Sequence, residues 1–435
     1  MMASRSSRRA NAYWTALVVS TSLAVAGLPA CRDRTPRSTR ATAADSGSSA
    51  STAKGKPARS VPSSPPAPPP VVVSASEAPL DPDAGPLAAA EIDLGTVAPT
   101  ALGPFGAAIV KGDDEVVIVP FRNGKLGPAP EGVKTTLASW PVLVEGAPHR
   151  MYWASKGRLL RRKISPEGAV GALEVLATDV SERLTRVSAA HDEADANLDV
   201  VLYIGAFVSK EKEHRARLWL DGRKPRTITP EGAGATDTHV LPIAPGRVAL
   251  LSVDARLALS PFHARFLELG TEPRLGEDRV VHVAGPAEGD VELTALRIGG
   301  APVAFAPITK EALEFGLLSL AIGDAESEAP ATWTLYPNGI TPSPVQAAIV
   351  CGKPTVAFVQ PENAKPGANA VVRLATVDAT GRLSEIVSVA SAPKIVHLAI
   401  APVTPRAADA KSKPIGALLA YSTETYLKAR ALPCR

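Results

Sequence analysis

Val200-Val201-Leu202-Tyr203-Ile204, then a polar interval, then Arg217-Leu218-Trp219-Leu220 closed by Asp221-Gly222, is the pattern that decides the fold. Two runs of β-branched and large apolar residues, each of strand length and bounded by turn residues, read as successive strands. Gly222 fits a tight turn in which one residue must take φ > 0. The pattern recurs along the chain. Arg247-Val248-Ala249-Leu250-Leu251, Pro302-Val303-Ala304-Phe305-Ala306 and Thr355-Val356-Ala357-Phe358-Val359 hold the place of the first run, as do Met151-Tyr152-Trp153 and Gly416-Ala417-Leu418-Leu419-Ala420. Arg158-Leu159-Leu160-Arg161-Arg162-Lys163-Ile164 and Val371-Val372-Arg373-Leu374-Ala375 hold the second. Ser165-Pro166-Glu167-Gly168, Tyr336-Pro337-Asn338-Gly339 and Asp378-Ala379-Thr380-Gly381 hold the turn.

Placing the first strand of each unit near Ile109, Val142, Val187, Val240, Leu293, Ala348 and Leu398 gives a period of about 45 to 55 residues after a shorter first unit, the period of four-stranded propeller blades. The fold class is therefore all-β: a six- or seven-bladed β-propeller over residues 91–435, with tandem β-sandwiches as the alternative. Six blades result if the thin unit at 106–133 is incomplete. The one helix candidate, 309–320, contains Glu314-Phe315-Gly316-Leu317-Leu318-Ser319-Leu320 and reads as a strand. Glu91-Ile92-Asp93-Leu94-Gly95-Thr96-Val97 is placed to lend a strand to the last unit and close the ring, which removes exposed sheet edges.

Upstream of the repeats, Arg5, Arg8 and Arg9 precede an apolar core of Trp14, Leu17, Val18, Val19, Leu23 and Val25, and Leu28-Pro29-Ala30-Cys31 follows. A basic start, a short apolar core and a small-residue cleavage site define an export signal. The core is shorter than the roughly 20 apolar residues of a membrane span. Arg8-Arg9 lacks the apolar pair of a twin-arginine signal. Leu28-Pro29-Ala30-Cys31 resembles a bacterial lipobox, with Pro29 where Ala or Ser is usual. That resemblance implies a lipoprotein signal peptide over 1–30, lipidation of Cys31 and an envelope location on an outer-membrane or periplasmic face. Cleavage after Ala26, in Ala24-Val25-Ala26, implies a soluble secreted protein instead. The chain has three cysteines. With Cys31 on lipid, Cys351 and Cys434 form an even pair able to close a disulfide in an oxidising compartment.

Residues 31–90 are dominated by Ala, Ser, Thr and Pro, stiffest at Ser63-Ser64-Pro65-Pro66-Ala67-Pro68-Pro69-Pro70. Such a segment buries too little apolar surface to offset its ordering entropy, so it reads as a disordered linker. Its reach is on the order of 40 Å when flexible. The net charge of +4 suggests a nucleic-acid or membrane-surface partner, but processing removes that suggestion. Without Arg5, Arg8 and Arg9, the 47 basic residues exceed the 43 acidic by one. Seven of the remainder lie between Arg32 and Arg59, leaving the rest slightly acidic. Nucleic acid is excluded as a partner on this balance.

Chemistry-bearing motifs are sparse. The seven histidines, His149, His191, His214, His239, His263, His282 and His397, form no His-Glu-x-x-His or close His/Cys array, so no zinc site is indicated. No Gly-x-Ser-x-Gly elbow occurs, and Cys351-Gly352-Lys353-Pro354 lacks the rest of a P-loop. Asp195, Asn197 and Asp199 alternate like the start of a calcium loop. Val200 stands where that loop needs Gly, however, and a solvated acidic hairpin explains the same residues. The body is similar to propeller-repeat lipoproteins of bacterial envelopes in strand order and turn placement, without WD40 or Asp-box signatures. The resemblance leaves the subfamily and its activity open; with catalytic and metal motifs missing, the reading is a non-catalytic, cofactor-free protein tethered to the membrane by lipid and presenting a binding surface to a protein or glycan partner. The alternative is a propeller hydrolase or lyase acting on polysaccharide, with paired carboxylates drawn from different blades. An aromatic content of 4% is low for an enzyme that stacks sugar rings.

Overall fold

Each recurring unit folds into a small antiparallel sheet, and seven such sheets form a seven-bladed β-propeller. The computed structural model describes residues 71–72, 92–93, 100–122, 125–127 and 141–433. The last range has breaks at 209–212, 256–258, 286–291, 311–313, 324–327, 336–343, 364, 366, 403–414 and 424–425. All of these lie in one unit, Ala67–Arg435; none of Met1–Pro66 is among them.

Blade 1 is Thr100–Gly103, Gly106–Lys111, Glu115–Arg122 and Lys125–Leu126. Blade 2 is Val142–Val144, His149–Ser155, Arg158–Ile164 and Val170–Ala177. Blade 3 is Val187–His191, Asp199–Ile204, Ala216–Leu220 and Arg226–Thr227. Blade 4 starts with Asp237–Ala244, Arg247–Val253 and Ser260–Glu268; its outer position is shared by Arg274–Leu275 and Arg279–Ala284, which both pair with Ser260–Glu268. Blade 5 is Thr294–Ile298, Ala301–Lys310, Glu314–Ala321 and Ala331–Leu335, with Val71–Val72 pairing in parallel on its outer edge. Blade 6 is Val345–Val350, Lys353–Pro361, Ala370–Val377 and Leu383–Ala392. Blade 7 is His397–Pro402, Ile415–Ser422 and Tyr426–Pro433, completed by Ile92–Asp93, which pairs antiparallel with Tyr426 and Leu427.

The near-continuous apolar runs that define the repeat are the second strands, buried on both faces because a blade packs on either side. His149–Ser155 and Asp199–Ile204 are buried at every position. Side chains alternate between the two interfaces, as strand geometry requires. Met151 and Trp153 face blade 1, whereas Tyr152 and Ala154 face blade 3. Seven apolar clusters result, one at each seam. The cluster of Leu102, Ala107, Ile109, Leu418, Ala420 and Leu427 joins blade 1 to blade 7. The seven innermost strands pack on one another in the same cyclic order, returning from His397–Pro402 to Thr100–Gly103. This ring rules out tandem sandwiches.

One strand placement is corrected. Ile109 lies in the second strand of blade 1, and the innermost strand is Thr100–Gly103, nine residues earlier. The short Thr-Ala-Leu-Gly run carries too little apolar signal to announce itself. The first unit is nonetheless a full blade. Residues 309–320 are strand on both sides of a break, as expected. Gly168, Gly222 and Gly381 take φ of 94°, 72° and 81°, as the turn reading requires; Gly339 lies outside the described residues.

Candidate functional site

Because strands within a blade run alternately up and down, all seven innermost strands begin at the same end of the central channel. At that end, three charged residues from successive blades meet. Arg186 immediately precedes the innermost strand of blade 3, Asp237 opens that of blade 4, and Glu292 lies two residues before that of blade 5. Arg186 Nη1 donates to Asp237 Oδ2 at 3.1 Å, and Nη2 donates to Glu292 Oε1 at 2.7 Å. Both carboxylates are 2% exposed.

Each carboxylate is also tied to the next blade. Asp237 Oδ2 accepts the backbone N–H of Leu293 at 2.6 Å, and Oδ1 accepts that of Thr238 at 2.8 Å. Glu292 Oε2 accepts the N–H of Val345 at 2.6 Å, the first residue of blade 6's innermost strand. Burial pushes both carboxyl pKa values up, against the pull of Arg186 and the backbone donors; Asp237 pushes Glu292 further up. Two histidines complete this end of the channel. Enclosure brings the imidazole of His239 down to about 4. His397, on blade 7, is brought down to about 4 by burial and then by the Arg186 charge. Both rings are neutral at pH 7.

Two cavities occupy the channel. One, of about 130 Å³, is walled by Arg186, Ser188, Asp237, His239 and Thr294, among others. The other, of about 440 Å³, is walled by blades 1, 2, 6 and 7, where Glu145, Gln346 and His397 stand among aliphatic groups including Leu102, Leu143, Ala348 and Ile400; burial pushes the Glu145 carboxyl pKa up, against the pull of His191. They share Pro141, Val142 and Gln346. Neither wall contains Phe, Tyr or Trp. A general acid or base must place a free oxygen within hydrogen-bond reach of a substrate proton. All four oxygens of Asp237 and Glu292 already accept protein donors. The arrangement staples blades 3, 4, 5 and 6 together beside the smaller cavity.

The positions singled out from sequence fall elsewhere. Cys31 and Cys434 lie outside the described residues. Cys351 and Gly352 form the two-residue loop between the first two strands of blade 6. With φ of 52° and 74°, both are left-handed, the geometry of a type I′ hairpin. Asp195, Asn197 and Asp199 do not converge. Asp195 Oδ1 accepts the Asn197 N–H at 2.9 Å in an exposed turn. Asp199 is fully buried at the seam with blade 2, where Oδ1 accepts from Arg150 Nη2 at 2.9 Å and Oδ2 accepts from the Tyr152 hydroxyl. Asp192 is also buried and accepts the Gly246 N–H at 2.7 Å. The solvated-hairpin reading is thus corrected at Asp199, and Asp192 beside it is likewise turned inward: inter-blade donors hold these two carboxylates. Among the described residues, no group of three or more His, Cys, Asp or Glu is placed to hold a metal ion.

Sequence reading missed Arg186, Asp237 and Glu292. A signal existed: each is a charged residue at or within two residues of the start of an innermost strand, where blade 2 has Pro141 and Val142.

No protein-family model matches this chain, and no curated protein matches it. Solved structures resemble it at low identity. A polysaccharide lyase of family PL25, an ulvan lyase bound to -[GlcA(1-4)Rha3S]-, is 14% identical over 79% of this chain and 94% of its own, with a TM-score of 0.42. A mutant of AofleA from Arthrobotrys oligospora is 10% identical over 70% and 87%, with a TM-score of 0.41. The Penicillium chrysogenum alpha-L-arabinanase complexed with arabinobiose is 10% identical over 68% and 93%, with a TM-score of 0.39. The substrates in these names belong to those proteins.

Proposed function

We propose that this chain is a non-catalytic envelope protein, tethered through lipid on Cys31 and a linker over 31–90, whose seven-bladed body presents loop-built faces to a protein or glycan partner. The supporting observation is that every oxygen of Asp237 and Glu292 is engaged by Arg186, Leu293, Thr238 or Val345. The paired acids of the channel hold the blades together, and the remaining carboxyl on its walls, Glu145, stands without a second acid beside it in the larger cavity. Loops carried on a rigid scaffold are the usual place for recognition. A Cys351–Cys434 disulfide would fasten the last residues of blade 7 to blade 6 and stabilise by a few kcal/mol in the chain-entropy view. Incubating the full chain with anionic and neutral polysaccharides and following new reducing ends or unsaturated uronates tests this reading; no product is expected, and turnover would refute it.

A second reading has its own observation. Asp237 and Glu292 come from different blades, meet in the channel and have carboxyl pKa values pushed up by burial, as an acid–base pair in a propeller hydrolase or lyase would require. Under that reading Arg186 releases one carboxylate to substrate, and Asp237→Asn abolishes turnover. The polysaccharide-directed names of the solved neighbours are in keeping with this alternative. The engagement of all four oxygens in holding blades together and the aromatic-free walls put it second.

A further inference from the structure

At the outer seam of blades 3 and 4, on the face where the innermost strands end, the turn at 221–225 covers a pocket of about 330 Å³ walled by Leu218, Leu220, Arg223, Lys224, Arg226 and Pro273. Leu218 and Leu220 belong to the apolar seam beneath it, so the floor is rigid. Arg223 Nη2 donates to the Thr271 carbonyl at 2.8 Å, which pins the turn of blade 3 to the neighbouring hairpin. Several arginines bury one nitrogen without a hydrogen-bond partner, and the Arg226 guanidinium is one of them. Its Nη2 is buried and has no hydrogen-bond partner among the described residues.

The charges around it do not balance. Burial, and then the positive charges of Arg223 and Arg265, pull the Arg226 pKa below the usual arginine range. Two acids of the surrounding segments have other partners. Asp221 Oδ2 lies 3.7 Å from Arg161, and Asp278 meets His263 at 2.8 Å and Arg265 at 3.5 Å. No carboxylate lines the pocket. A buried guanidinium nitrogen without an acceptor is costly, and the cost is removed when an anion enters.

We infer that this pocket binds an oxyanion (sulfate, phosphate or carboxylate), with Arg226 as the deep donor and Arg223 and Lys224 closing over the ligand from the rim. The planar guanidinium fork suits two oxygens at once, and the pocket has room for the small group that carries them. The inference stands apart from the reading of the channel and survives its failure.

The test is titration of the full chain with sodium sulfate, sodium phosphate and sodium glucuronate, against sodium chloride at matched ionic strength, followed by calorimetry and by thermal unfolding. At least one oxyanion is expected to bind and raise Tm. The tetrahedral and planar probes distinguish a sulfate or phosphate site from a uronate site. Loss of a charge-assisted hydrogen bond predicts about tenfold or greater weakening in Arg226→Gln, with Arg226→Lys between it and wild type. The unliganded Arg226→Gln variant is expected to unfold close to the wild-type Tm, because Arg226 is only partly buried and its Nη2 has no protein acceptor to lose. Lys224→Gln, changed at an exposed position, weakens binding without bearing on folding. Binding of none of the three probes, or binding by Arg226→Gln as tight as wild type, overturns the inference.

Discussion

Glu292 Oε2 accepts the backbone N–H of Val345 at 2.6 Å, so a side chain at the start of blade 5 holds the first residue of blade 6's innermost strand. One blade earlier, Asp237 holds Leu293 in the same way at the same distance. Arg186 links the two carboxylates. Glu292→Ala removes the acceptor of the Val345 N–H and one of the two carboxylates that Arg186 holds. Removing one partner of a buried pair costs about 3 kcal/mol or more. Glu292→Gln keeps an acceptor for Val345 and is expected to lose less. Urea unfolding of the two variants measures the difference.

His397 sets an acid-stability signature. Its folded pKa is about 4, against an unfolded value of 6.5, so below 6.5 the unfolded chain takes up a proton that the folded ring refuses. Stability therefore falls as pH drops from 6.5 toward 4, by at most about 1.4 kcal/mol per pH unit from this one group. Asp237 and Glu292, raised by burial, act in the opposite sense, losing stability as pH rises from the ordinary carboxylate range. Comparing wild type with His397→Gln cancels their contribution. The variant is expected to show the shallower loss on acidification, read from unfolding midpoints across that window.

Ring closure depends on a two-residue pairing, Ile92–Asp93 against Tyr426 and Leu427. A chain beginning at residue 100 loses it and exposes the outer edge of blade 7, a template for pairing with another chain. Such a chain is expected to melt at a lower temperature than the full chain and to associate with rising concentration. Thermal unfolding and light scattering follow the two effects.

Asp199 and Asp195, four residues apart, are expected to behave oppositely. Asp199→Ala strands the buried Arg150 guanidinium and is expected to cost about 3 to 5 kcal/mol. Asp195→Ala, in an exposed turn, is expected to stay within about 0.5 kcal/mol of wild type. Calcium chloride is expected to leave the Tm of either protein unchanged. Denaturant and thermal melts check all three statements.

The blades were legible because their second strands are buried on both faces: runs such as Val200 to Ile204 stay apolar at every position and mark each unit. The closing strand was legible too, since a repeat that ends on three strands needs a fourth from the other terminus. The start of blade 1 was not. Thr100–Gly103 is four residues of weak apolar character, and tertiary contact with blade 7 defines it more than its own pattern does. The channel cluster escaped for a different reason. Arg186, Asp237 and Glu292 lie about fifty residues apart, and only ring geometry brings them together. Asp199 looked like surface decoration beside Asp195, because strand alternation says which face a residue takes but not that Arg150 and Tyr152 wait across the seam.

The most direct test of the account is paired turnover and stability measurement on wild type, Asp237→Asn and Glu292→Gln with a panel of uronate-containing, sulfated and neutral polysaccharides. The account predicts no product from any of the three proteins and lowered unfolding midpoints in both variants. Product formed by wild type and lost in the variants, with their midpoints unchanged, would contradict it.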